Sequence, residues 1–252
     1  DRQWSRGLGD VYKRQIGSLL KVPGASNSIL EAYIPYAKES LDFYLMKKPE
    51  SYCSLDTTTR MAARAYSAAK KIDQKTNIEQ LFGVAISATL STNYEKKGSH
   101  RFHIAVQTRD FSQSISCILN KGQRTREEEE ELVTEFVIAL ISDCCGFEFK
   151  YPEIKEDVEH IQIPAQKGWA DLMSEKIKFV TSSNQQPKLI FPGAFNPMHD
   201  GHIAMSELAN KELSEEVFFE ICIQNVDKPP LSYHQIKKTI DQFTDSKNWV
   251  LT

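Results

Sequence analysis

The stretch Lys188 to His202, KLIFPGAFNPMHDGH, decides how the fold is read. Leu189, Ile190 and Phe191 form a short apolar strand stopped by Pro192 and Gly193. Glycine at such a break lets backbone come close to whatever sits at the strand's carboxyl end, and a phosphate would fit there. Beyond the turn the period becomes helical, with Ile203, Met205, Leu208, Ala209 and Leu213 offering a mostly apolar face. His199 and His202 therefore fall at or just before a helix N-terminus, where unpaired N–H groups and the helix dipole favour anions. Three residues apart, they can face one ligand and give hydrogen bonds and positive charge to phosphate oxygens. A bare HxxH also fits a plain strand-turn-helix corner with two exposed histidines. Strand, glycine turn, Asn-Pro and HxGH together are more specific.

GAFNPMHDGH resembles the G-x-F-x-P-x-H-x-G-H signature of the nucleotidyltransferase superfamily, which includes nicotinamide-nucleotide and phosphopantetheine adenylyltransferases and cytidylyltransferases, and every signature position is filled. The resemblance implies a doubly wound parallel sheet of Rossmann-like type. It implies that His199 and His202 contact the phosphates of a nucleoside triphosphate, ATP or CTP, while Gly193, Ala194 and Phe195 lend the backbone of the nucleotide cradle. Asn196 stands where the family often has Asp. Mg²⁺ accompanies the triphosphate, and a phosphate of a small-molecule acceptor attacks the α-phosphorus without a covalent enzyme intermediate.

Outward from the signature, Val217 to Ile223 is β-branched and aromatic enough for a buried parallel strand. In an open α/β sheet its carboxyl end faces the same crevice, so Asn225 can read a base or sugar and Lys228 can reach phosphate. A solvated lysine in a proline-rich loop is the equal alternative. Ser232 and Gln235 make an S-x-x-Q cap on a helix carrying Ile236, Ile240 and Phe243, and Trp249 to Leu251 starts a third strand. Residues 188–252 thus read as β-α-β-α-β, half of a doubly wound sheet. Because domains usually run to about 100 to 150 residues, this piece is expected to be truncated at its C-terminus and inactive alone. The family's later Ser/Thr-Arg motif is not found in it.

Residues 1–15 show no amphipathic period and no apolar core of a signal peptide; they read as a non-native adapter scar, set aside from the fold. In residues 16–146, Ile29 to Ile34 reads as a strand, Pro35 opens a helix through Leu45, and Ser54 caps an alanine-rich helix ending near Ile72. Strands follow at Leu81 to Ile86, Phe102 to Gln107 and Ile115 to Leu119. A T-x-x-E box, Thr125 and Glu128, opens a helix that Gly146 stops. The acidic run Glu127 to Glu131 is read as favourable to the helix dipole.

SLLKVPGAS, LFGVAISATL, RFHIAVQ and the arginine-bearing turn before the last helix resemble the CinA C-terminal domain, known for nicotinamide-mononucleotide deamidase activity. The resemblance implies an α/β domain with a mixed sheet, its start truncated. The family's T-G-x-x-G-P stretch is here Thr89-Leu90-Ser91-Thr92, and without the glycines deamidation is not expected. Arg124 and Arg126 either hold a phosphate or are solvated at the helix start. Residues 147–187 read as a polar connector with a short helix from Trp169 to Ile177.

The 252-residue chain has ordinary apolar (40%) and charged (26%) content, and its net charge of −3 with no basic block argues against nucleic acid. The longest apolar run, Phe136 to Ile141, is too short to span a membrane. Five cysteines without CxxC spacing point to reduced thiols in a cytoplasmic setting, with no metal site. The composite reading is a nucleotidyltransferase acting from ATP or CTP on a phosphate-bearing acceptor such as nicotinamide mononucleotide. The alternatives are a non-catalytic nucleotide-binding scaffold, assembled as a homo-oligomer through the CinA-like half, and the less favoured amidase.

Overall fold

The computed structural model describes residues 9–94, 96–166, 168–183, 185–223, 229–243 and 247–252. The fold is α/β throughout, and the chain divides into two compact units between Ile163 and Pro164, inside the stretch read as a connector.

The first unit is a helix-covered sheet of strands β1 (Gly83–Thr89), β2 (His100–Gln107), β3 (Phe111–Leu119) and β4 (Val158–Pro164), in that spatial order. β1–β2 and β2–β3 are antiparallel. One face packs Ile86, Phe102, Ile104, Ile115 and Cys117 against Val133, Phe136, Val137 and Leu140 of the helix α4 (Arg126–Cys144). The other face brings Ala85 and Ala105 against Met61 and Ala62 of α3 (Leu55–Ile72) and Leu41 and Leu45 of α2 (Lys38–Leu45). The long helices start where their caps demand. Ser54 accepts from the Thr57 N–H, and Thr125 and Glu128 close a reciprocal capping box.

Several expectations need correction. Ile29 to Ile34 forms no strand: it has no regular structure, is largely exposed, and pairs with no strand among the described residues. Residues 9–15, set aside with the N-terminus, belong to a helix, α1 (Gly9–Leu20), in which Gln15 is buried and donates from Nε2 to the Glu130 carbonyl and the Thr134 hydroxyl of α4. β4 lies in the supposed connector. β3 begins four residues earlier than its apolar run, because Ser112 and Gln113 are buried and satisfied by Gln107 and Asp143.

The second unit holds β5 (Val180–Thr181), β6 (Leu189–Pro192), β7 (Val217–Ile221) and β8 (Asn248–Leu251) in the order β5-β8-β7-β6. β6, β7 and β8 are parallel, linked through α6 (Asp200–Leu213) and α7 (Tyr233–Ile240), whereas β5 is antiparallel to β8. This is the expected Rossmann-like half, made mixed by one short edge strand. A short α5 (Trp169–Met173) buries Trp169 against Tyr233 of α7 at 5.5 Å between ring centroids. The apolar face expected on α6 is not covered. The helix faces inward with Ser206 and, partly, Ile203 and Ala209, a narrow stripe that leaves Met205, Leu208 and Leu213 exposed.

Each unit contains a half-buried imidazole kept neutral. Burial, reinforced by Arg101, pushes His103 down to about 4, and burial alone does the same to His234. Unfolded histidines take up protons near 6.5, so between about 6.5 and 4 the unfolded chain binds more protons, and acid destabilises both units. Glu156 adds a second window, because its Arg124 partner holds the carboxyl down to about 2 against an ordinary 4.5. Urea unfolding followed from pH 7 to pH 4 should show each unit losing on the order of 2 kcal/mol. A flat profile would contradict this account.

Candidate functional site

The second unit places the signature where the carboxyl ends of the parallel strands meet. Pro192 ends β6, the chain turns through Gly193 to Met198, and His199 is the N-cap of α6, with His202 in its first turn. Gly193 is needed for a close approach, and the partner is internal: a Cβ there would lie 2.5 Å from Cζ of the Phe195 ring. Phe195 is 1% exposed and left-handed at φ 43°, and its ring packs edge-on against Phe191, Phe219, Phe243 and His202. Ala194 and Asn196 are exposed beside it.

The imidazoles of His199 and His202 stack with ring centroids 3.7 Å apart. The backbone N–H of His199 donates to Nδ1 of His202 at 3.3 Å. Because an N–H can only donate, Nδ1 carries no proton, and the neutral ring keeps its proton on Nε2. Burial, with His199 beside it, holds the His202 pKa below its ordinary value, which favours that neutral form. The result is a donor held by the backbone, next to a helix start whose first N–H groups have no intrahelical acceptor. His199 is exposed, so both rings belong to a surface open to a ligand. Asn225 and Lys228 lie outside the described residues.

The first unit gathers a second polar cluster around Ser91, just beyond the end of β1. Ser91 donates its N–H to the fully buried Glu129 at 2.6 Å, and Glu129 also meets His100 Nδ1 at 2.7 Å. The acidic run therefore does more than complement the helix dipole. Arg126 binds the Ser91 carbonyl at 2.9 Å and Glu130 at 2.6 Å, and Arg124 is paired with Glu156 rather than free for a phosphate. Arg126 Nη2 and Arg101 Nε are nevertheless buried with no hydrogen-bond partner among the described residues. Burial, together with these two guanidinium groups, lowers the Lys96 pKa.

Residues 190–252 match the sequence pattern of the family described as cytidylyltransferase-like. This supports a nucleotidyltransferase in general and a Rossmann-like fold for that part of the chain. No curated protein and no solved structure matches the chain. Among the described residues no helix is long and apolar enough to cross a membrane.

Proposed function

We propose that the second unit binds the Mg²⁺ complex of a nucleoside triphosphate, ATP or CTP, and transfers its nucleotidyl group to a phosphate-bearing small molecule. The observation that carries this reading is the His199–His202 pair, stacked at the start of α6 with His202 fixed as an Nε2 donor. An acceptor phosphate oxygen forms a bond to the α-phosphorus, the bond from that phosphorus to the bridging oxygen breaks, and pyrophosphate leaves. Negative charge builds on the α-phosphate oxygens, where imidazole and backbone N–H groups stabilise it. These nitrogen donors suit phosphate rather than Mg²⁺, which prefers oxygen ligands. Among the described residues no group of three or more His, Cys, Asp or Glu is arranged around a metal. On this reading Mg²⁺ enters with the triphosphate.

Nicotinamide mononucleotide is the favoured acceptor because both halves resemble families that handle it. The first unit, read as CinA-like, offers the Lys96, Arg101 and Arg126 corner to such an anion, while Ser91 has its N–H and carbonyl bound by Glu129 and Arg126, which supports binding over deamidation. Free thiols on all five cysteines accord with a reducing, cytoplasmic setting. The test is pyrophosphate release by the full-length protein with Mg²⁺, nicotinamide mononucleotide and either ATP or CTP. Release with one triphosphate is the expected result. Nucleotide binding without release from either would favour the non-catalytic scaffold.

A further inference from the structure

The turn that carries the histidines is held from a distance. Gln242, just beyond α7, donates from Nε2 to the Phe195 carbonyl at 2.9 Å and accepts at Oε1 from the Met198 N–H at 2.8 Å. The two bonds close on both ends of the Phe195–Met198 segment, which leads directly into His199. Only one orientation of the amide satisfies both, since the flipped amide would set oxygen against oxygen and N–H against N–H. The anchor is itself fixed. Phe243, the next residue, packs on Phe219 at 5.3 Å and on Phe195 at 5.8 Å between centroids, and its N–H bonds the Ile240 carbonyl. A left-handed non-glycine residue at Phe195 stores strain that local backbone preference does not hold, so something outside the turn must hold it.

We propose that Gln242 is a positioning residue of the nucleotide site: its side-chain amide fixes the turn so that the His199 N–H reaches His202 Nδ1 and both imidazoles face the phosphates. This rests on the nucleotidyltransferase reading for its catalytic consequence and on geometry alone for its effect on the histidines. No bond to substrate is assigned to Gln242.

Gln242→Glu keeps the acceptor for Met198 but sets a carboxylate oxygen against the Phe195 carbonyl; Gln242→Leu keeps approximate size and removes both bonds. Three readouts are taken on the full-length protein: kcat and KM for pyrophosphate release with MgATP and MgCTP, thermal unfolding, and the ¹⁵N resonances of the His202 ring. Both variants should lose about 10- to 100-fold in kcat with KM within about threefold, as expected when reacting groups are misplaced rather than removed. In both, the His202 ring should change from a single Nε2–H tautomer to a mixture. An unchanged tautomer, with activity lost only in proportion to unfolded protein, would overturn the proposal. If the wild-type chain releases no pyrophosphate, the nucleotidyltransferase reading fails instead, and the ring resonances alone then decide whether Gln242 positions the turn.

Discussion

Alanine at both His199 and His202 is expected to lower pyrophosphate release by about a thousandfold or more while the second unit stays folded. Removing one preorganised donor to a developing oxyanion typically costs about 10² to 10³ in rate. Two rings stacked at 3.7 Å and joined through the His199 N–H act as one unit, so the double change should cost little more than the worse single one. The structural cost is small by comparison. His199 is exposed, and His202 gives up edge contacts to Phe191 and Phe195, worth roughly 0.5 to 1.5 kcal/mol each. Pyrophosphate assays run beside thermal melts separate the two effects. Wild-type rates in the double variant would remove the histidines from the chemistry.

The largest loss of stability is expected from Gly83→Ala in the first unit. A Cβ at Gly83 would lie 2.2 Å from the Tyr66 nitrogen, 2.3 Å from the Ala62 oxygen and 2.8 Å from the Ala65 carbonyl carbon. All three are backbone atoms of α3, so no side-chain rotation can relieve the clash; strand and helix would have to move apart. Overpacking of side chains costs about 1 to 3 kcal/mol, and a clash with helix backbone belongs at or above the top of that range. The separation would also loosen the contact of Ala85 with Met61 and Ala62. Urea unfolding of the first unit should report a loss of about 3 kcal/mol, with the second unit's transition unmoved. A shift under about 0.5 kcal/mol would show that β1 and α3 do not meet as described.

What could be read from the sequence was mostly local. The caps at Ser54, at Thr125 with Glu128, and at Ser232 with Gln235 are each decided within four residues, and all form. The parallel strand at Val217 declared itself by composition, and the histidine pair by spacing. Elements depending on distant partners were not legible. α1 is tied to α4 by Gln15, 115 residues from Glu130, and β3 is extended by polar side chains whose partners lie elsewhere. Gln242 could not be connected with the signature, because 44 residues separate it from Met198 and a glutamine after a helix carries no signal of its own. Gly193 was legible only in part. Its smallness reads in the sequence as room for a phosphate, and the structure adds a second need, the Phe195 ring that a Cβ there would meet.

The two-residue strand β5 gives the second sheet a direction of growth. Lying antiparallel along β8, it occupies the edge where a further parallel strand would otherwise pair directly with β8. The opposite margin is β6 itself, which carries the signature turn. A strand laid parallel on that side, from whichever chain, would end level with Pro192 and bring its following loop to the histidines. Insertions beside β6 could therefore diversify what the site accepts, whereas insertions beside β8 would change the scaffold and leave chemistry alone.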